Sequence, residues 1–351
     1  MLREIDFDNG TRAFSLENGE LSVVVLSYGA TVQSIRFAGL DVAGGYDTLG
    51  EYKLSGGYQG ATIGRCANRI RNGVISYGGV RYVLAKNEKE TTHLHGGTVG
   101  FDKCMWEPEP EGDSLRLRQL LVNILANATK FTPEGGEEGY PGRLDVCVTY
   151  TVADNTLFIR WEAVSDADTF VSLANHTYFN LNGIGSGSVN GHLLTINADR
   201  YDMIDRNLIP YRIAPVENTP FDFRRPKTIG QDIDNGDEQL TNAGGYDHNY
   251  YLVKDFPVGF GGRVLYKAAE LSAAVRMELF TDMPCMQLYA GNFLSDGGSF
   301  SGGVLKKNRE ALCLETQFEP DSPNRSGSSL LRCGEKYDRM TALRFGCGGE
   351  R

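Results

Sequence analysis

Val146-Cys-Val-Thr-Tyr-Thr-Val152 and Thr156-Leu-Phe-Ile-Arg-Trp-Glu162, separated by Ala153-Asp-Asn155, decide the fold class. Both runs are dense in β-branched and aromatic residues, which fit a pleated surface, and an Asn/Asp cluster breaks them where a chain turns. The pattern recurs on either side, in Leu21–Leu26, Thr31–Phe37 and Val80–Leu84 before and in His192–Ile196 and Val275–Leu279 after. Turn clusters punctuate these runs roughly every 8–12 residues. Glycine reinforces the reading, since 43 of the 351 residues are Gly, well above the average of about 7%. The chain is therefore expected to be all-β, a sandwich or barrel rather than alternating strands and helices. No Pro/Ser-rich linker or shift of composition divides it, so residues 1–351 are expected to form a single large domain.

One segment breaks the rhythm. In 115–130, Leu117, Leu120, Leu121, Ile124, Leu125 and Ala128 fall at i, i+3, i+4 spacing, and the spacing predicts a short helix there.

Composition excludes several function classes. Lys and Arg total 35 against 45 Asp and Glu, a formal charge of −10, so no nucleic acid is expected as a partner, because phosphate binding calls for basic surface. No run approaches the roughly 18 apolar residues that span a bilayer, so no membrane is expected either. Met1-Leu-Arg-Glu-Ile-Asp-Phe-Asp8 lacks the positive-then-apolar pattern of a secretory signal, and the protein is expected to be cytoplasmic. The seven cysteines are widely spaced and form no CxxC pair, as expected of reduced thiols, several of them small core residues. There is no Gly-Lys dipeptide, hence no P-loop, and no HExxH zinc motif.

Candidate chemistry gathers in five places. His93 and His95, two apart in Thr-Thr-His-Leu-His-Gly-Gly, would share one face of a strand; a polar role in a ligand cleft competes with a metal pair and with structural histidines. In Leu173-Ala-Asn-His-Thr-Tyr-Phe-Asn-Leu181, an extended chain puts His176, Tyr178 and Asn180 on one face, a row that lines a sugar site or simply meets solvent. Asp247 and Asn249 share a face in Gly245-Tyr-Asp-His-Asn-Tyr-Tyr251, opposite His248. Glu315 sits with Gln317 in the otherwise apolar Leu312-Cys-Leu-Glu-Thr-Gln-Phe318; such a carboxylate is either bonded to backbone amides or is a base with a raised pKa. Asn68-Arg69 reads as a surface turn or as donors aimed at hydroxyls.

Taken in order, these segments resemble the aldose 1-epimerase (galactose mutarotase) family over nearly the whole chain. The resemblance is carried by Gly60-Ala-Thr-Ile-Gly-Arg-Cys-Ala-Asn-Arg-Ile70, Leu94-His-Gly-Gly97, Gly100-Phe-Asp-Lys103 and Glu137-Glu-Gly-Tyr-Pro-Gly142. It continues in Asn175-His-Thr-Tyr-Phe-Asn-Leu181, Thr219-Pro-Phe-Asp-Phe-Arg224, Tyr246-Asp-His-Asn249, Gln287-Leu-Tyr-Ala-Gly-Asn292, Leu314-Glu-Thr-Gln317 and Pro320-Asp-Ser-Pro-Asn324. It implies a large antiparallel β-sandwich with an open sugar cleft and interconversion of the anomers of free galactose or glucose, with no cofactor or metal; a monomer or homodimer is expected. It also implies Glu315 as general base on the anomeric hydroxyl, His176 as acid at the ring oxygen, and Asn68, Arg69, His95, Tyr178, Asp247 and Gln287 as sugar-binding residues. A hexose-phosphate epimerase of the same fold and a non-catalytic carbohydrate-binding or regulatory protein are the rival readings.

Residues 113–136 depart from that pattern. The text from Leu115 to Gly136 resembles the asparagine-box helix of histidine-kinase ATP-binding domains, with Asn123, Asn127 and Lys130 at the matching spacing. The Asp-x-Gly-x-Gly element that such a domain also needs is absent, so the segment reads as an insertion or substitution rather than a nucleotide site.

Overall fold

The computed structural model describes residues 1–8, 10–111, 114–121, 137–295 and 298–348. Three antiparallel sheets account for most of it. The first is a five-stranded meander in chain order, Leu2–Ile5, Ala13–Asn18, Leu21–Leu26, Thr31–Phe37 and Leu40–Asp41. The second and largest runs Glu107–Glu111, Ser114–Leu121, Leu144–Ala153, Thr156–Ser165, Lys336–Cys347, Val275–Thr281, Arg263–Ser272, Leu193–Ile196 and Lys227–Thr228, with Pro257–Phe260 also paired to Arg263–Ser272. The third carries the site, in the order Pro210–Pro215, Ala198–Ile204, Asp247–Leu252, Cys285–Tyr289 and Cys313–Gln317.

Period-2 patterning explains how these sheets share a core. Val146, Val148 and Tyr150 are fully buried on one strand and pair with Ala163, Trp161 and Ile159 on the next. They belong to one apolar cluster with Val23, Val25 and Ile35 of the first sheet and Tyr250, Met286, Leu288 and Leu314 of the third. Each aliphatic side chain so enclosed contributes about 1.5–3 kcal/mol. Among the described residues α-helix is confined to Leu49–Leu54 and Glu238–Ala243.

The helix expected over 115–130 is corrected at its start. Ser114–Leu121 is a strand of the largest sheet, with Leu115 opposite Tyr150 and Leu121 opposite Leu144. Leu115-Arg-Leu-Arg118 alternates with period 2 as well as fitting a helical stripe, and the open edge of Leu144–Ala153 supplies a ladder for it. Leu115 is fully buried as a result. The remainder of the segment, including Asn123, Asn127 and Lys130, lies outside the described residues.

Candidate active site

Glu315 stands at the centre of Cys313–Gln317, a strand buried along its whole length. Leu314 joins the core and the Thr316 hydroxyl lies 2.6 Å from that of Thr341, so the alternate residues Cys313, Glu315 and Gln317 share the other face. Glu315 lies opposite Gln287, which lies opposite Asn249. The Gln287 amide donates from Nε2 to Asp247 Oδ1 at 2.6 Å. The third sheet thus presents one polar row over an apolar underside. His248 points to that underside, packed on Phe221 at 4.5 Å between ring centroids.

His176 arrives from a separate segment. Its peptide is pinned on both sides, donating to Ala61 O at 3.0 Å and accepting from Gly60 N at 2.9 Å. The ring sits among Tyr58, His95 and Tyr178, with centroid distances of 5.9, 5.3 and 5.1 Å. Its Nε2 lies 3.6 Å from Glu315 Oε1, and its Nδ1 lies 3.5 Å from Cys313 Sγ. Burial pushes His176 down to about 4. Burial, reinforced by Asp247, pushes Glu315 up to about 8, with Arg69 pulling the other way. Oε2 of Glu315 is buried and has no hydrogen-bond partner among the described residues.

Asn68, Arg69 and His95 form the facing wall. Arg65, a neighbour in the same motif, is fully buried and ion-paired to Glu137, and it also donates to Pro141 O at 2.8 Å and Thr169 Oγ1 at 3.0 Å. That anchor ties Gly64-Arg-Cys-Ala-Asn-Arg69 to Glu137-Glu-Gly-Tyr-Pro-Gly142. The Leu94-His-Gly-Gly97 turn packs on it so tightly that a Cβ at Gly96, where φ is +91°, would stand 1.6 Å from Gly64 O. Arg69 then meets Glu88 bidentately, Nε to Oε2 and Nη2 to Oε1 both at 2.9 Å, while its Nη1 lies 3.9 Å from Asp247 Oδ2.

All eight residues expected from the sequence (Asn68, Arg69, His95, His176, Tyr178, Asp247, Gln287 and Glu315) line one cavity of about 460 Å³. That volume lies within the roughly 300–1,000 Å³ of small-molecule sites. Asn180 and His93 are elsewhere. Asn180 donates to Gly187 O and Glu310 O, both at 2.8 Å, as a loop brace. His93 lies between Ala85 O at 2.7 Å and the Tyr140 hydroxyl at 2.8 Å. The two histidines part because the chain turns left-handed at His95, φ 51°, so the alternation of an extended strand does not hold. Tyr58, Glu88, Lys89, Leu208, Tyr289 and Phe293 also line the cavity, without having been singled out by the sequence. Nothing in Lys86-Asn-Glu-Lys-Glu90 distinguishes Glu88 from a solvated charge, and the Gly56-Gly57 pair was the one local sign that the chain at Tyr58 approaches something closely.

His95, His176 and Glu315 each bring a ligand atom within 4.8 Å of one another, enough in number for a cation. The chemistry of His95 does not fit that role. Its Nδ1 accepts the backbone N–H of Asn68 at 3.2 Å, so the neutral ring carries its proton on Nε2. A metal-bound imidazole instead donates its second N–H to an acceptor. His95 therefore keeps an Nε2–H that can donate a hydrogen bond. The arrangement as a whole offers a buried carboxyl–imidazole pair, a ring of donors and one paired guanidinium: acid–base chemistry on a hydroxyl-rich molecule.

A sequence-family profile described as Aldose 1-epimerase matches residues 12–344. Galactose mutarotase from Mus musculus is 38% identical over 354 aligned residues, covering 97% of this chain and 96% of its own. Galactose mutarotase from Homo sapiens is 37% identical, with the same coverage of 97% and 96%. Aldose 1-epimerase from Escherichia coli K12 is 33% identical, covering 93% of each chain. Among solved structures, galactose 1-epimerase from Lactobacillus acidophilus superposes with a TM-score of 0.83 at 28% identity, covering 99% of each chain.

Proposed function

The chain belongs to the aldose 1-epimerase family and is an isomerase that interconverts the α and β anomers of an aldose; we propose that Glu315 and His176 are its acid–base pair and that free galactose and glucose are its substrates. The observation that carries this reading is the 3.6 Å between His176 Nε2 and Glu315 Oε1 inside the cavity.

Opening a cyclic hemiacetal takes a proton from O1 and delivers one to O5. Both oxygens are bonded to C1, so the two groups must stand close together. The Glu315 carboxylate takes the O1 proton while the His176 imidazolium protonates O5, and the ring opens to the aldehyde. Rotation about C1–C2 presents the other carbonyl face to O5. Neutral His176 then takes the O5 proton and the Glu315 carboxyl returns one to O1, which closes the other anomer. The pair holds one proton throughout, and nothing needs to enter from solvent. Before the sugar arrives, burial keeps that proton on Glu315, the same distribution that the open-chain stage requires. Arg69 and the sugar's own hydroxyls favour the ionised distribution that precedes opening. A positioned proton-transfer group is worth roughly 10²–10⁴ in rate. His95, Asn68, Arg69, Tyr178, Asp247 and Gln287 supply donors and acceptors to the remaining oxygens.

Charge favours a neutral sugar over a phosphorylated one. The Glu315–His176 pair is neutral overall, and the remaining charged lining residues balance, Glu88 and Asp247 against Arg69 and Lys89, with Arg69 already gripped by Glu88, so no cluster of unpaired cations awaits a phosphate. Each of these site residues comes from one chain, so a monomer suffices for activity, alone or within a homodimer. All seven cysteines are free thiols, in keeping with a reducing compartment, and we assign the protein to the cytoplasm. Among the described residues no helix is long and apolar enough to cross a membrane.

Polarimetry of freshly dissolved α-galactose and α-glucose, alongside their 6-phosphates, tests the reading. Acceleration with the free sugars and little with the phosphates is expected. Faster mutarotation of the phosphates would overturn the substrate assignment, and none with any of them would overturn the activity.

A further inference from the structure

We propose that Glu88 is a positioning residue for this reaction, holding Arg69 so that only Nη1 is presented to the sugar and Arg69 does not collapse onto Glu315. The proposal rests on the acid–base reading above and adds to it a residue outside the reacting pair.

The grip is complete on one side of the guanidinium. Nε of Arg69 lies 2.9 Å from Glu88 Oε2 and 3.2 Å from Oε1, and Nη2 lies 2.9 Å from Oε1. Such a fork fixes the plane of the guanidinium as well as its position. The remaining Nη1 is 3.9 Å from Asp247 Oδ2, beyond hydrogen-bond length, and so keeps donors for a ligand oxygen.

Glu88 is itself firmly mounted. Its N–H donates to Thr92 O at 3.1 Å and its C=O accepts from the N–H groups of Thr91 and Thr92, both at 3.1 Å, which closes a tight loop. Next to it, Asn87 donates to Leu94 O and Gly97 O, both at 2.9 Å, and accepts the Leu94 N–H at 2.8 Å. Glu88 therefore moves with the turn that carries His95, and the two sugar-facing groups Arg69 and His95 are set by one ribbon.

Glu88 also balances charge. Glu315 is faced by His176, His95, Arg69 and Asp247, by the phenols of Tyr58 and Tyr178, and by Cys313 on its own strand. Arg69 is the cation that draws Glu315 toward ionisation. A carboxylate on the far side of that guanidinium limits the pull and keeps Glu315 a stronger base.

The test is a double-mutant cycle on Glu88→Gln and Arg69→Gln, read by polarimetry with galactose. Glu88→Gln alone should raise KM roughly tenfold and move the alkaline limb of kcat/KM to lower pH by about half a unit, because Arg69 then acts on Glu315 unopposed. In the Arg69→Gln background the same change should cost less than about twofold. Glu88→Asp, which restores the charge with a shorter reach, should recover the limb but not the whole of KM. Thermal unfolding separates a folding defect from a positioning one, and a Glu88→Asp protein that melts like wild type carries the test if Glu88→Gln does not fold. Wild-type KM and an unmoved limb in folded Glu88→Gln, or an equal loss in both backgrounds, would overturn the proposal while leaving the acid–base reading intact. Absence of any wild-type acceleration would overturn both.

Discussion

His176 Nε2 lies 3.6 Å from Glu315 Oε1 although the two residues come from a loop edge and from the middle of a buried strand. Two groups at that spacing can each reach one of the two oxygens on a single carbon. His176→Asn removes the proposed acid while keeping a small polar side chain. Its kcat on galactose should fall by at least about two orders of magnitude, with the thermal midpoint nearly unchanged. A loss of only a few-fold would remove His176 as the principal acid.

The pH profile follows from the shared proton. With Glu315 near 8 and His176 near 4, the pair carries one proton between those limits. Below about 4 a second proton arrives and no base remains; above about 8 the proton is lost and no acid remains. We expect kcat/KM to be flat between the two limbs and to fall by about tenfold per pH unit outside them. A maximum confined to a narrow band around neutrality would contradict this.

Arg65 is a structural prediction. It is fully buried and holds Glu137, two backbone carbonyls and Thr169. Arg65→Met leaves those acceptors unpaired, which should cost roughly 3 kcal/mol in urea unfolding. Because Arg65 anchors the loop bearing Asn68 and Arg69, the folded fraction should also show a raised KM. Unfolding within about 0.5 kcal/mol of wild type would refute the anchoring role.

Three histidines away from the reaction set an acid limit on stability. Burial pushes His93 and His192 down to about 4 and His248 down to about 3. Their pKa values are thus lowered in the folded state relative to the unfolded chain, near 6.5. The stability they give is complete above about 6.5 and is lost as pH falls toward 4 or 3, because the unfolded chain binds protons that the folded one does not. Each contributes a slope of about 1.4 kcal/mol per pH unit in that window. His248→Asn, which can still accept the Asp247 N–H now made to Nδ1, should remove one such slope between pH 6 and 4 in urea unfolding. An unchanged slope would show that His248 is protonated in the folded protein.

The sequence made the site more legible than its support. Glu315 stood out because a carboxylate in an apolar strand demands a reason, and the strand is buried on both faces as that pattern implies. His176 and Tyr178 were placed by alternation, although the chain there is mostly irregular and Asn180 turns away to brace a loop. The His93–His95 pair failed for the same physical cause, since alternation needs extended backbone and His95 is left-handed. Glu88 was invisible because its partner lies across a loop and nothing local distinguishes it. Leu115–Leu121 fitted two periods, and only the edge of Leu144–Ala153 decided between them.

The most direct test of the central claim is Glu315→Gln, measured for α-galactose mutarotation by polarimetry and for galactose binding by calorimetry. The amide keeps the shape of the side chain and cannot take a proton from O1. The predicted result is a loss of at least about 10² in kcat with galactose still bound and the fold unchanged. Turnover near that of wild type would contradict the account, since the proton from O1 would then have another destination.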